Sequence, residues 1–167
     1  ASNTFLNNAA VFRNDEYEQS SLNINIANGN YAMYKYNETY FEVLPSNYSL
    51  RDNNFTTIAK DQQSGGNCWA FASLAALESA ILKASGTSLD LSEENMKNVI
   101  AKYSDYGWKI ETNDGGYDNM LLGYLVSWLG PVLESDDSYD DKSVLSPVLD
   151  SIMHVQNIAF LKRDDNL

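Results

Sequence analysis

Apolar residues recur every three or four positions along one long stretch in the middle of the chain. Four residues share that spacing: Ala70, Leu74, Leu77 and Ile81. A segment that is apolar around so much of its circumference is expected to form a buried helix. The pattern predicts a central helix that begins at Cys68 and stops at Gly86, because glycine commonly follows the last helical residue.

Two further helices are predicted downstream. Ser92 is a favoured cap residue followed by two acids, which predicts a helix from Glu93 to about Tyr103. Asp118 is predicted to cap a third helix, which carries an apolar stripe and is ended by Gly130-Pro131. The middle of the chain is therefore expected to be mainly helical.

Alternating apolar and polar residues predict strands nearer the two ends. The alternation on either side of Asn28-Gly29 predicts a β-hairpin over roughly 21–36, since both turn residues tolerate positive φ. A short helix near 144–153 is expected to precede a strand over 155–161. Together these elements predict an α+β fold.

Charge and composition narrow the possible functions. The 167 residues contain 11 Lys and Arg against 23 Asp and Glu, for a net charge of −12. Such a surface repels phosphate backbones and anionic lipids, so neither nucleic acid nor a membrane surface is an expected partner. The chain has no apolar run of about 20 residues, the length needed for a spanning helix.

The chain contains a single cysteine and a single histidine. The one cysteine excludes an intrachain disulfide, and the one histidine excludes a metal site built from several histidines of this chain. We expect no metal and no cofactor. Acidic residues cluster between Glu134 and Asp141, but they lack the spacing of a calcium-binding loop, so a solvated acidic loop is favoured over a calcium site.

The segment around Cys68 carries the clearest chemical signal. A cysteine at the start of a helix lies where unpaired N–H groups favour an anion, and a nucleophile requires the thiolate form. Gly65 and Gly66 allow a sharp turn and a close approach to a substrate. Gln62 would place its side-chain NH₂ beside the Cys68 N–H to form a two-donor oxyanion hole. The alternative is a buried structural cysteine at a helix start.

This segment resembles the region around the nucleophile of papain-like cysteine peptidases. Further elements similar to that family occur in the family's order: Leu44-Pro45 with Ser49–Asp52, Gln62, Cys68–Phe71, Leu91–Glu94, Asn113–Tyr117 and Tyr139. The disulfide-free, acidic and Asn-rich chain resembles the prokaryotic surface-associated branch of the family more than its lysosomal members.

The resemblance implies a fold and a set of site residues. Residues 1–44 would be an N-terminal extension or pro-like segment, 45–153 the helical left lobe, and 154–167 the start of the β-rich right lobe. Cys68 and Gln62 would be catalytic. The residues expected to bind substrate are Gly66, Trp69, Gly115, Gly116, Tyr117 and Asp118.

Two departures from the family pattern concern cysteines. Typical members have disulfide-bonded cysteines where this chain has Gly65 and Asn113, and both are absent here together. Asn67 replaces the usual small residue before the nucleophile, which we expect to be tolerated at an exposed turn.

The third departure concerns the catalytic base. In the family the His and Asn follow the cysteine by about 130–150 residues, whereas this chain ends at Leu167. His154 lies too close to Cys68 in sequence and is expected to be a strand-end histidine with a local hydrogen bond. The chain is therefore expected to lack the His/Asn lobe and to be inactive by itself.

The predicted function is peptide-bond hydrolysis through a Cys68 thioester, with a peptide or protein as substrate. The alternatives are a non-catalytic peptide- or protein-binding surface module and another Cys-dependent acyl transferase or isopeptidase. The exposed lobe interface is expected to bind the missing right lobe of the same polypeptide, or to cause self-association of the chain. Three N-x-[ST] sequences, at Asn37, Asn47 and Asn54, favour an extracellular or cell-surface location.

Overall fold

A computed structural model describes residues 10–14, 46–156 and 158–162 of the chain. Strand β1 spans Ala10–Asn14, helices α1, α2 and α3 span Cys68–Ser85, Glu93–Val99 and Asp118–Val126, and strand β2 spans Ile158–Lys162. The hairpin predicted over 21–36 lies outside the described residues. The described part is helix-rich, as expected of a helical lobe.

Helix α1 forms the centre of the hydrophobic core. Its residues Ala70, Leu74, Leu77 and Ile81 are buried, which confirms the predicted apolar face. The helix ends at Gly86, which has φ 71° and donates its N–H to the Leu82 carbonyl over 2.8 Å. That left-handed conformation is one that glycine adopts without strain.

Helix α2 begins as predicted and ends earlier than predicted. The Ser92 hydroxyl accepts a hydrogen bond from the Asn95 N–H over 2.9 Å, which is the expected N-cap contact. The helix stops at Val99 rather than near Tyr103, because the chain beyond it folds back on itself. There the Ile100 carbonyl accepts from the Trp108 N–H, at 2.8 Å.

Helix α3 begins at Asp118, but its N-cap is Tyr117 and not Asp118. Tyr117 has the extended backbone of a cap residue, with φ −129° and ψ 158°. The helix ends at Val126, with Ser127 as its C-cap, several residues before Gly130. Leu121, Tyr124 and Leu125 point into the core that α1 and α2 share.

The short helix predicted near 144–153 is absent, and this segment is irregular. Pro147 lacks the N–H that a helix would need there. Side chains of α2 form hydrogen bonds with the segment instead. Asn95 donates to the Pro147 carbonyl over 2.9 Å, and Asn98 donates to the Ser146 hydroxyl over 3.0 Å. Contacts with a neighbouring element therefore replace a local helix.

The two described strands form a parallel pair. β1 lies beside β2 with Ala10 opposite Ile158 and Asn14 opposite Lys162. The strand predicted over 155–161 is thus present but begins later, at Ile158, and the pattern of residues 10–14 did not predict its partner.

A cluster of charges lies between α1 and α2. The Lys60 ammonium is 2.7 Å from Asp90, 3.0 Å from Glu93 and 3.3 Å from Glu78. Glu78 and Glu93 are buried. Burial raises the pKa of Glu93 to about 7, although the positive charge of Lys60 opposes the rise.

This raised pKa predicts how stability depends on pH. Glu93 in the folded protein binds a proton more tightly than a glutamate in the unfolded chain, whose pKa is about 4.5. The stabilisation of the folded state that protonation of Glu93 provides is therefore fully present below about pH 4.5, and it is lost as the pH rises towards 7. We expect the free energy of unfolding to fall by about 2–4 kcal/mol over that interval, at 1.36 kcal/mol per pKa unit.

Urea unfolding at a series of pH values between 4 and 8 measures this fall. Glu93→Gln should remove most of the slope, whereas Glu111→Gln, a change at an exposed glutamate, should leave it intact. An equal slope in the Glu93→Gln variant and the unmodified chain would contradict the assignment.

Candidate active site

Cys68 is the first residue of α1, and its side chain is exposed. The preceding Asn67 makes no side-chain capping hydrogen bond to the helix, and no acid lies in the first turn. The N–H groups of that turn are left without a side-chain acceptor from Asn67. This end of the helix therefore offers N–H donors and the positive end of the helix dipole to a negatively charged reaction intermediate.

The loop before Cys68 is held from both sides. The Gln62 side chain is half-buried and donates its NH₂ to the Gly65 carbonyl over 2.9 Å, within the same loop. The Gln62 carbonyl accepts a hydrogen bond from the Tyr139 hydroxyl over 2.7 Å. Ser64 donates its N–H to Asp141 over 3.2 Å. The role of Gln62 as an oxyanion donor stays a prediction.

Gly66 joins this loop to the predicted substrate-binding segment. Its N–H donates to the Asn113 carbonyl over 2.8 Å, and it forms a parallel β-bridge with Asp114. A Cβ at position 66 would lie 2.6 Å from the Gly115 nitrogen and 2.8 Å from the Asn113 oxygen. The two backbones approach too closely for any side chain, so position 66 requires glycine.

The segment 115–118 lies on the side of this contact towards α3. Gly115 has φ 90°, and Gly116 packs on the indole of the buried Trp69, where a Cβ would lie 2.4 Å from Nε1. Tyr117 is 72% exposed, and Asp118 is the first residue of α3. Trp69 thus supports the glycines from below and leaves the other face of this backbone open.

Asn67 does not lie at an exposed turn, as the sequence had led us to expect. It is 1% exposed. Its side-chain NH₂ donates to the Asn113 side-chain oxygen over 2.6 Å and to the Tyr139 hydroxyl over 3.0 Å. A Cβ at position 65 would lie 2.4 Å from that NH₂ group, so the Asn67 amide fills the space that a side chain at Gly65 would need.

The same cluster contains a residue that the sequence analysis missed. Lys97 is buried, and its ammonium donates to the Asn113 side-chain oxygen over 3.0 Å. Lysine on a short polar helix is normally solvent-exposed, so nothing in its own position indicated this contact. The available signal was indirect: with no cysteines at 65 and 113, other groups must hold these two segments together.

His154 lies against Trp128 and not against the thiol. The two rings stack with centroids 4.0 Å apart and an interplanar angle of 8°. No hydrogen bond joins His154 to Cys68 within the part of the chain that the structure describes. His154 also precedes β2 by four positions, so stacking on an indole describes it better than the expected strand-end hydrogen bond.

The acidic loop 134–141 is partly bound to the rest of the lobe. Asp137 accepts from the Asn95 side chain over 2.9 Å, and Asp141 accepts from Ser64. Over the described ranges, no three His, Cys, Asp or Glu side chains are grouped so that they could hold a metal ion. None of the three described helices combines the length and the apolar character that a bilayer crossing requires.

Residues 44–157 match the model of the papain family of cysteine proteases. The chain belongs to this family. The match covers the helical lobe together with the segments around Cys68 and Asn113, and the prediction made from their motifs is confirmed at the level of the family.

Individual relatives agree with this membership. Cysteine proteinase 15A of Pisum sativum is 34% identical over 98 residues, which are 58% of this chain and 27% of the relative. Among solved structures, the cysteine protease and lectin-like domains of Cwp84, a surface layer associated protein of Clostridium difficile, are 32% identical. That likeness has a TM-score of 0.53 and covers 64% of this chain and 24% of the other.

The papain-like fold has further structural support. A structure from work on the mite allergens Blo t 1 and Der p 1 has a TM-score of 0.60 and covers 74% of this chain and 38% of the other, at 24% identity. The chain spans about a quarter of the length of the curated relatives that it matches.

The packing of Gly116 on Trp69 yields a stability prediction. Gly116→Ala would place a methyl group against the indole and should destabilise the fold by about 1–3 kcal/mol, because the buried ring has to move. Gly123→Ala is the matched control. A Cβ there would meet its nearest neighbour at 3.5 Å, and alanine favours the helix by up to about 1 kcal/mol. Thermal unfolding of both variants tests this, and equal melting temperatures would contradict it.

Proposed function

We propose that this chain supplies the nucleophile side of a cysteine peptidase. The observation that carries the proposal is the exposed Cys68 at the N-terminus of the buried α1, next to a loop that Gly66 joins to Asn113 and Asp114. An extended peptide that lies along 115–117 would bring a carbonyl carbon to the thiol.

In this reaction the Cys68 thiolate attacks the substrate carbonyl carbon and forms a tetrahedral intermediate. The Cys68 N–H and the Gln62 side-chain NH₂ donate to its oxyanion. For this the Gln62 NH₂ must leave the Gly65 carbonyl, to which it now donates. The C–N bond then breaks, the amine leaves with a proton from the base, and water hydrolyses the thioester to release the acid and restore the thiol.

The base in this proposal comes from outside the described residues. His154 stacks on Trp128, and an imidazole must lie within hydrogen-bond reach of the sulfur to act. We assign the base to a second lobe that carries the family's His and Asn, in the same polypeptide. The chain by itself is then expected to react at Cys68 without turning over a peptide.

Substrate binding is assigned to the backbone of Gly115 and Gly116 and to the loop residue Gly66. We call the backbone of these three glycines the glycine shelf, and the indole of Trp69 packs against it at Gly116. Tyr117 and Asp118 would contact the substrate's second side chain upstream of the scissile bond. Among the described residues, no other backbone group bonds to Gly116, and a backbone edge of this kind suits β-type pairing with an extended peptide.

The second lobe also accounts for an apolar surface beside α1. A groove of about 700 Å³ runs between α1 and the segment 48–60, and among its lining residues are Tyr48, Leu50, Ile58 and Phe71. Ile58 is 89% exposed. Apolar side chains grouped in this way are typical of an interface, and we assign this one to the second lobe.

We place the protein in the extracellular space or at the cell surface, and within the prokaryotic surface-associated branch of the family. The 32% identity with a surface layer associated protein supports both assignments. The three N-x-[ST] sequences support only the location.

The alternative function is a non-catalytic peptide-binding module. It is favoured by the position of His154 on Trp128, and it requires the glycine shelf without a reactive thiol. The reactivity of Cys68 distinguishes it from a peptidase.

A peptidyl epoxide tests the peptidase proposal on the chain as it is. The measured quantity is the rate of reaction with the peptidyl epoxide divided by the rate with iodoacetamide. This preference should be larger for Cys68 than for the thiol of glutathione, because the shelf holds the peptide portion against the sulfur. Cys68→Ser should not be labelled, and His154→Ala should be labelled at the unchanged rate. A preference no greater than that of glutathione would overturn the proposal, and a large loss of rate in His154→Ala would identify His154 as the base.

The assignment of the apolar surface predicts self-association. At micromolar concentration the chain should elute larger than a monomer in size-exclusion chromatography and should bind an apolar dye. Ile58→Ser should weaken both effects, while Lys109→Ser, a change at another exposed residue, should not. A monodisperse monomer without dye binding would contradict this assignment.

A further inference from the structure

Lys97 is a buried cation that the proposed reaction does not use. Its side chain is 1% exposed and forms an ion pair with Glu94, at 3.0 Å, which is also buried. Its ammonium also donates to the carbonyl oxygens of Asp140 and Ser143, over 2.5 and 3.0 Å. A buried ammonium requires such a complete set of oxygen partners, because an unpaired one would be very costly.

The remaining partner of the ammonium connects it to the candidate active site. Lys97 and Asn67 both donate to the side-chain oxygen of Asn113, over 3.0 and 2.6 Å. Asn67 donates in addition to the Tyr139 hydroxyl, which donates to the Gln62 carbonyl. A continuous set of hydrogen bonds therefore runs from the buried charge to the loop that precedes Cys68.

The charge fixes the direction of these bonds. An ammonium only donates, so Asn113 has to present its side-chain oxygen to Lys97. An amide oxygen cannot donate, so Asn67 has to turn its NH₂ group towards the same oxygen, which accepts from both residues. Hydrogen bonds from a charged donor are stronger than neutral ones, and neighbouring bonds in a network strengthen each other. The ring of Tyr139 also lies 5.1 Å from the Lys97 ammonium, in cation–π contact.

Asn113 is the point at which this network meets the backbone contact. It adopts φ 69°, a left-handed conformation that Asn tolerates better than most residues with a side chain. In this conformation its carbonyl accepts from Gly66, while its side chain accepts from Lys97. Fixing the Asn113 side chain therefore also fixes the backbone oxygen that holds Gly66.

We propose that Lys97 is a positioning residue, which acts through Asn113 and Asn67 to hold the loop 62–67 against the segment 113–117. Its catalytic meaning rests on the peptidase function proposed above, while its effect on the two segments does not. Among the described residues, no hydrogen bond joins Lys97 to the thiol or to the glycines, and Lys97 works by setting the geometry between them.

Two variants interrupt the network in different ways. Glu94→Gln with Lys97→Met removes the ion pair as a unit, so that no buried charge is left unpaired. Asn113→Gly removes only the bridging side chain, and glycine adopts φ 69° without strain. The control is Lys102→Met, the same chemical change at an exposed lysine.

Amide hydrogen exchange on the full 167-residue chain gives the first readout. Exchange of the Gly66 N–H should rise by about tenfold in both test variants, which corresponds to the loss of one or two hydrogen bonds. The Gly86 N–H, which donates to the Leu82 carbonyl at the opposite end of α1 from Cys68, should keep its rate, and Lys102→Met should change neither. An equal rise at both amides would reduce Lys97 to a general stabiliser, and an unchanged Gly66 would also overturn the proposal.

The second readout is the preference of Cys68 for a peptidyl epoxide over iodoacetamide. This preference should fall by about threefold or more in both test variants, because the shelf no longer holds the peptide in register with the sulfur. If the Gly66 N–H exchanges faster but the preference of Cys68 is unchanged, Lys97 is not a positioning residue. If the unmodified chain shows no preference, the peptidase function fails instead, and hydrogen exchange alone decides whether Lys97 holds the two segments.

Discussion

The site depends on one backbone hydrogen bond, from the Gly66 N–H to the Asn113 carbonyl. It joins two segments that lie far apart in the sequence and brings the loop before Cys68 beside the glycines that precede α3. The bond can form only because position 66 has no side chain. Without this contact, α1 would still present a thiol at its N-terminus, but the glycine backbone to which we assign peptide binding would not lie next to it.

Helix α2 organises the surroundings of that bond although it has only seven residues. All seven are buried and most are polar, which is the reverse of an ordinary amphipathic helix. Glu93 binds Lys60 in the segment before the site, Asn95 binds the Pro147 carbonyl and Asp137, and Lys97 binds Asn113. The polar side chains of this helix therefore bind the irregular segments around the site and hold them in place.

The sequence predicted the parts of this structure that follow from local rules. The spacing of Ala70, Leu74 and Leu77 predicted α1 because periodic burial shapes the sequence directly, and Gly86 and Ser92 marked helix ends through their own backbone preferences. The motifs around Cys68 were sufficient to predict the family. These features depend on neighbours within a few residues, so they can be recognised without knowing what packs against them.

Long-range polar contacts were not predictable in the same way. Asn67 was expected in solvent and is buried, because its partners Asn113 and Tyr139 are distant in the sequence. The segment 144–153 was expected to be helical, and side chains of α2 take its hydrogen-bonding groups instead. The role of Lys97 was missed altogether, since a buried lysine is recognisable only once the oxygens around it are known.

The way in which the two segments are held has a consequence for the chemical conditions that the site tolerates. A disulfide between them would open in a strongly reducing solution, the same solution that protects a nucleophilic thiol from oxidation. In this chain Cys68 is the one cysteine, and amides, a phenol and an ammonium make the connection. A reductant can therefore preserve the sulfur without cutting any bond between the two segments, so their connection, unlike the thiol, is independent of the redox potential.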